Sequence, residues 1–384
     1  MDITIQPRPL RGEITIIPSK SQAHRLLICA AFADNPTRLR CAGTNRDIEA
    51  TVDCLNALGA DIKRTSDGYT IHPMEAVPES AVLNCCESGS TLRFLLPIAG
   101  ALGVDAVFQM AGRLPRRPLS PLWEEMERMG CTLTRPTADT VRCQGKLRPG
   151  AYSIDGGVSS QFITGLLFAQ SLLEGESDLQ ITGKIESKPY IDLTKEAMAR
   201  FGAPRYHSPG VIDVEGDWSN GAFFVTAARL GSDLTIRGLN PDSTQGDRAA
   251  ASITRQLAAG KVTVSAADIP DLVPILSVMA AASHGAVFTD IRRLRIKESD
   301  RVASTIAMIE ALGGRAESTE ETLTVYGTGY VGGTVNAQND HRIAMSAAIA
   351  ATVCTAPVTV IGAEAVKKSY PKFWDEYRRL GGKI

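Results

Sequence analysis

The apolar positions of this chain fall into two kinds of helical stretch that alternate along its length. Six segments, 19–31, 88–100, 159–169, 219–228, 269–281 and 339–351, begin with polar or charged residues and continue as helices that are small and apolar on every side. A helix with no polar face has no side to offer water, so these six are predicted to be buried. Each is followed by a short alternating stretch ending near glycine, predicted as a strand: 37–43, 106–112, 179–183, 234–238, 287–292 and 358–362. A second, amphipathic helix comes next, at 47–58, 119–129, 191–201, 246–257, 299–312 and 371–380. Five of these six stop at a glycine (Gly59, Gly130, Gly202, Gly313, Gly381), the residue that closes a helix with a left-handed turn. A strand pair, as in 61–71 and 322–325, then leads to the next buried helix.

The order strand, buried helix, strand, outer helix, strand, strand therefore recurs six times, three times before residue 216 and three times after it. Two pseudo-threefold halves are expected, with buried helices inside and sheets plus outer helices around them. The stretch 3–17 precedes the first unit and is expected to pair into the second half. A length of 384 residues, divided by about 150 per domain, also gives two domains.

Composition narrows the class. With 44% hydrophobic, 22% charged and 5% aromatic residues the chain reads as soluble and globular. Forty-one basic residues stand against 42 acidic ones, a net charge of −1, so nothing global points to nucleic acid or an anionic membrane, and any anion site must be local. The eight cysteines form no C-x-x-C pair and have no histidine at metal-ligand spacing, and they read as reduced, buried small hydrophobes. The start of the chain runs directly into an alternating pattern (Ile3, Ile5) without a basic-then-apolar leader, and no apolar run reaches about 18 residues, which predicts a cytoplasmic protein.

The chemistry gathers at the helix starts. Lys20, Ser21 and Arg25; Gly89 and Arg93; Arg117; Ser159, Ser160 and Gln161; Ser187; Asp271; Lys297, Glu298 and Arg301; Arg342; and Lys368 all stand at or just before one. Taken singly, each serine is an N-cap and each arginine a surface charge. Jointly, in a neutral protein, they describe a local basic site for small substrates carrying phosphate and carboxylate groups, aided by the positive ends of the helix dipoles. Lys297 and Arg301 are four apart, so a helix opening at Lys297 would place them on one face. Asp271, Glu298 and Lys20 are the residues suited to move protons. There is no Walker loop, dinucleotide fingerprint, H-E-x-x-H or nucleophile elbow.

At this level the chain resembles the 5-enolpyruvylshikimate-3-phosphate synthases. Ser19-Lys20-Ser21 with Arg25, the run from Ser88 to Arg93, Arg117-Pro118-Leu119, Ser159-Ser160-Gln161-Phe162, the run from Ser187 to Asp192, Gln245-Gly246-Asp247, Ile269-Pro270-Asp271, Lys297-Glu298-Ser299-Asp300-Arg301, Asp340-His341-Arg342 and Lys368-Ser369-Tyr370-Pro371 look like that family's signatures, in its order. The resemblance implies an α/β fold, a two-domain inside-out barrel of six βαβαββ repeats. One domain would span 19–217 and the other 1–18 plus 218–384. It implies enolpyruvyl transfer from phosphoenolpyruvate to the 5-hydroxyl of shikimate 3-phosphate, with no metal or organic cofactor, by a monomer with no nucleic-acid or membrane partner. Lys20, Ser21, Arg25, Ser159, Ser160, Gln161, Ser187, Asp271 and Lys297 would then hold shikimate 3-phosphate. Lys20, Gly89, Arg117, Gln161, Arg301, Arg342 and Lys368 would hold phosphoenolpyruvate. Asp271 would be the base, and Glu298 and Lys20 the proton carriers at the pyruvyl carbon; closure on substrate binding is expected. Glu87 and Ser90 depart from the asparagine and threonine common in the family. The related transferase acting on UDP-N-acetylglucosamine carries a loop cysteine, which the sequence before Arg117 lacks. The other alternative is a non-catalytic anion-binding protein, against which Lys20, Asp271 and Glu298 argue together.

Overall fold

The structure is a computed structural model describing residues 1–384, and each of the six polar-start segments is helical: Lys20–Ala31, Gly89–Leu102, Ser160–Gln170, Trp218–Arg229, Val273–Ala281 and His341–Ala350. Their burial follows from their composition. All nine residues of Val273–Ala281 and all ten of His341–Ala350 are buried, as is every residue of Lys20–Ala31 after the first two. The polar residues ahead of them terminate the helices. Ser19, Ser88 and Ser159 each accept a hydrogen bond from an amide of the first turn, and Asp217 and Asp340 do the same for the fourth and sixth helices.

The chain divides into two compact units, Pro18–Val214 and Met1–Ile17 with Glu215–Ile384, each with its own apolar core. The first unit holds two four-stranded sheets and one strand pair. The sheets run Val211–Asp213, Thr37–Arg40, Gly68–His72, Asp61–Arg64 and Ser80–Asn84, Asp105–Gln109, Thr140–Gly145, Cys131–Thr134; the pair is Ala151–Asp155 with Asp178–Thr182. The second unit repeats the four-stranded arrangement in Val262–Ser265, Ala286–Thr289, Thr322–Tyr326, Arg315–Ser318. In all three, the first two strands are parallel and the next two pairings antiparallel. The remaining strands of the second unit use the start of the chain: Asp2–Ile5 pairs with Val358–Ile361, and Arg11–Thr15 with Asp233–Arg237. No helix is long and apolar enough to cross a membrane.

The outer helices end at the expected glycines, with Gly130 at φ 117° and Gly313 at φ 88°. One start differs from expectation. The helix expected over 299–312 opens at Arg301, because Asp300 caps it by accepting from the Ala303 amide at 3.1 Å. Lys297 instead follows a short 3-10 segment, Arg292–Ile296, in extended conformation, so Lys297 and Arg301 do not share a helical face.

Gly165 sets the distance between two of the site-bearing helices. A Cβ at this position would collide with the Arg93 carbonyl oxygen, so Gly89–Leu102 and Ser160–Gln170 touch backbone to backbone there. Gly165→Ala is therefore expected to cost about 1–3 kcal/mol, the usual range for overpacking. Urea unfolding would measure it, and a midpoint equal to that of the wild type would show slack between the helices.

Candidate functional site

In the unit Pro18–Val214, the predicted residues fall into three linked groups at the helix starts. Lys20 opens its helix, and its Nζ donates to Asp47 Oδ2 at 2.8 Å. Arg25 is one turn further on and only 2% exposed, with each guanidinium nitrogen bonded: Nη1 donates to the Ser21 carbonyl at 2.6 Å, Nε to Thr194 Oγ1 at 2.8 Å and Nη2 to the Tyr190 carbonyl at 2.9 Å. Burial pulls the Arg25 guanidinium down to about 10, and the Phe94 ring lies 5.0 Å from it. These bonds tie Ser21 to the start of Lys188–Arg200, which Ser187 precedes with φ 56°. A left-handed serine costs of order 1–3 kcal/mol, and such strain concentrates at ligand sites.

The third group surrounds Gln161. Its Oε1 accepts from Arg93 Nη1 at 2.7 Å and its Nε2 donates to Ser90 Oγ at 2.9 Å. Ser159 caps the same helix by accepting from the Gln161 amide at 3.3 Å, which leaves its own hydroxyl proton to donate to a ligand. Gly89 faces Arg117: a Cβ on Gly89 would lie 2.7 Å from Arg117 Nη1 and 3.2 Å from Arg93 Nη1. Only a glycine lets two guanidinium groups lie this close to the helix start, where amide N–H groups already favour an anion. The Glu87 carboxylate lies against Gly112, in the loop leading to Arg117.

In the unit formed by Met1–Ile17 and Glu215–Ile384, five predicted residues meet in one ion cluster. Its centre is Arg301, 1% exposed, and each guanidinium nitrogen serves a different carboxylate. Nη1 donates to Asp271 Oδ1 at 2.6 Å, Nη2 to Glu298 Oε2, and Nε to Asp340 Oδ2 at 2.9 Å. Arg342 Nη2 donates to the other Asp271 oxygen at 2.8 Å, and Lys297 Nζ lies 3.8 Å from Asp271. Lys368, 8% exposed, donates to the Asn339 carbonyl at 2.8 Å, at the start of the helix bearing Arg342.

These contacts sort the titrations. Burial raises the Asp271 carboxyl, but Arg342, Lys297 and Arg301 outweigh it and hold the group well below the usual carboxylate range. Burial lowers Lys297 to about 8, against the pull of Asp271. Asp247 moves the opposite way: burial, then the charge of Asp271, pushes it up to about 7. The two aspartates thus part, one ionised and the other keeping its proton until the pH nears neutrality.

Three participants were given no role from sequence. Asp340 caps its helix through one oxygen, and its second oxygen accepts from Ser299 Oγ at 3.0 Å and from Arg301. Asp247 was visible as part of Gln245-Gly246-Asp247, and it accepts from the Ser219 hydroxyl. Asp47 lies in an ordinary acidic first turn, and nothing in sequence separates it from a dipole-stabilising carboxylate.

Comparison with known proteins bears on the whole chain. Residues 5–377 match the family profile described as EPSP synthase (3-phosphoshikimate 1-carboxyvinyltransferase). The chain is 35% identical to the 3-phosphoshikimate 1-carboxyvinyltransferase of Clostridium kluyveri, covering 100% of this chain and 98% of that one. It is 36% identical to the protein of the same name from Clostridium novyi, with the same coverage. Among solved structures it is similar to an EPSP synthase from Acinetobacter baumannii, with a TM-score of 0.80, 22% identity and full coverage of both chains.

Two expectations follow from the ion cluster. Lysine cannot reproduce three separate bonds from one planar group, so Arg301→Lys leaves buried carboxylates unpaired and is expected to destabilise by about 3–5 kcal/mol in chemical unfolding. The second concerns Asp247, which keeps its proton to about pH 7 when folded against an ordinary 3.8. Its stabilising contribution is complete below about pH 4 and is lost as pH rises to about 7, by on the order of 4 kcal/mol. Asp247→Asn should therefore gain stability relative to wild type between pH 4 and 7, with a constant difference above that. Urea midpoints across this range would reveal a pH-independent difference if the carboxyl were ionised throughout.

Proposed function

The chain belongs to the EPSP synthase family, and from that premise we propose that it transfers the enolpyruvyl group of phosphoenolpyruvate to the 5-hydroxyl of shikimate 3-phosphate, releasing phosphate. The observation that carries this reading is the Arg301 cluster, where a carboxylate suited to be a base and another suited to carry a proton share one guanidinium. The reaction asks for three things: cations for the substrates' phosphates and carboxylates, a base for the attacking hydroxyl, and an acid for the enol methylene.

Ser21, Arg25, Ser159, Ser160, Gln161, Ser187 and Lys297 are the proposed contacts of shikimate 3-phosphate. Lys20, Gly89, Arg117, Gln161, Arg301, Arg342 and Lys368 are those of phosphoenolpyruvate, with Lys20 serving both. Asp271 is the base at the 5-hydroxyl, and Glu298 and Lys20 exchange protons at the pyruvyl carbon. The resting geometry adds an order of events. A carboxylate paired with Arg301, Arg342 and Lys297 is stabilised as an anion and takes up a proton poorly. Anionic groups of the donor compete for the two arginines, and as they draw that positive charge towards themselves Asp271 regains basicity. On this reading the donor binds before the hydroxyl loses its proton.

No metal or organic cofactor enters the scheme, and the enzyme acts as a cytoplasmic monomer on two small-molecule substrates. The same reading makes 19–217 one domain and 1–18 plus 218–384 the other, each an inside-out barrel of three βαβαββ repeats.

Phosphate release from phosphoenolpyruvate should depend on added shikimate 3-phosphate. Release with UDP-N-acetylglucosamine instead, or with neither acceptor, would sink the proposal. Glu298→Gln is expected to bind both substrates while turning over about a hundredfold more slowly, the scale of a lost proton-transfer group. Weakened binding with unchanged turnover at saturation would make Glu298 a structural residue.

A further inference from the structure

Four buried polar side chains meet in the core of the Pro18–Val214 unit, where the Phe94 ring stands edge-on to His24. His24, Thr51, Thr91 and Ser88 are each fully buried and come from three helices, Lys20–Ala31, Arg46–Ala57 and Gly89–Leu102 with its cap. They form a continuous chain. His24 Nδ1 bonds Thr51 Oγ1, Thr51 Oγ1 bonds Thr91 Oγ1, and Thr91 Oγ1 donates to Ser88 Oγ, each at 2.7 Å.

The direction of the protons follows from the last bond. Thr91 spends its only hydroxyl proton on Ser88, so it accepts from Thr51; Thr51 then has only lone pairs left for His24, which must donate from Nδ1. The ring is thereby fixed as the neutral Nδ1–H tautomer, and the Nε2 lone pair is left without a partner, a smaller loss than a buried N–H in the same place. Burial and the charges of Lys20 and Arg25 oppose protonation, in keeping with this tautomer.

One end of the chain lies at the proposed donor site and the other on the helix that Lys20 opens. Ser88 caps the helix that Gly89 opens, accepting from the Thr91 amide at 3.2 Å. Thr91 Oγ1 also lies 3.4 Å from the Asp47 carbonyl, and the Asp47 carboxylate holds Lys20. His24 is on the helix that Lys20 opens. Apolar side chains of the same shape would hold three helices together equally well, and a hydrogen-bond chain adds directional registry that apolar contacts do not.

We propose that Thr51 and Thr91 are positioning residues for the enolpyruvyl donor: their hydroxyls fix the Gly89 helix start in register with Lys20. This rests on the reading of Lys20 and Gly89 as donor contacts. An internal control exists in the same unit. Thr164 and Thr194, also buried and bonded to each other at 2.8 Å, occupy another inner and outer helix pair. That pair holds Arg25, a proposed acceptor contact, instead of the Gly89 start.

The test is a comparison of KM values for the two substrates in Thr51→Val, Thr51→Ser and Thr194→Val. Thr51→Val should raise KM for phosphoenolpyruvate about tenfold, the effect of a sub-ångström misplacement, with a smaller rise in KM for shikimate 3-phosphate, which shares Lys20 but not Gly89. Thr51→Ser, which keeps the hydroxyl, should restore the wild-type value, and Thr194→Val should show the opposite selectivity. Equal rises in both constants, or a lowered melting temperature with neither constant moved, would reduce Thr51 to a stability residue and overturn the proposal. If Thr51→Val does not fold, Thr51→Ala removes the same hydroxyl with less bulk and is read the same way. Failure of the wild type to use these substrates would sink the functional reading instead, so the two failures are distinguishable.

Discussion

One guanidinium holds the acidic half of the chemistry in place. Arg301 is almost wholly removed from water, and its three nitrogens are divided among Asp271, Glu298 and Asp340. A charge buried to that degree is tolerated only when it is paired and hydrogen-bonded throughout, and the same holds for Asp340, which is fully buried. The dependence is mutual: remove any member and another is left with an uncompensated charge. Arg301 is also the first residue of its helix, so its side chain leans back past the helix start, where Glu298 and the Asp340 cap lie. The boundary of that helix, set by Asp300, is therefore part of the site's electrostatics.

The helices give the site its rigidity. Because the inner helices are apolar nearly all round and most of their residues are buried, they are packed on most sides, and their polar starts are held wherever the cores place them. Serine and aspartate caps then perform two jobs with one side chain, closing the helix and presenting a donor or an acceptor beyond it. Gly165 and Gly89 show how little slack is available: the first lets two helices touch, the second lets two arginines approach a helix end.

Much of this was legible in sequence because it rests on repetition. The inner helices, the strands after them and the glycine stops came from periodicity, and the observed helices begin within a few residues of the expected starts. The shared helical face of Lys297 and Arg301 did not form because the Asp300 cap, three residues after the lysine, decides where the amides begin to close. Asp340 and Asp247 were visible as letters but not as partners, since whether a cap's second oxygen meets an arginine depends on residues some forty positions away. Thr51 left no trace at all, and Thr91 was visible only as a letter in the run from Ser88 to Arg93. A threonine in a helix is unremarkable in composition, and only the meeting of three helices turns two of them into a bonded pair. The Glu87 carboxylate likewise found its place against Gly112 through the fold of a loop that no periodicity describes.

The division of the chain also orders its synthesis. The unit Pro18–Val214 is continuous, so it can fold as soon as it has been translated. The other unit cannot. Its strand Asp2–Ile5 pairs with Val358–Ile361, and Thr4 meets Thr359 at a sequence separation of 355, so a segment made early waits for a partner made much later. Contacts this remote in sequence are slow to form, and until then the edge of Val358–Ile361 and its future partner are both exposed to mispairing. Translation rate and chaperone access between those two strands thus bear on how much of this protein matures, independently of how stable the finished molecule is.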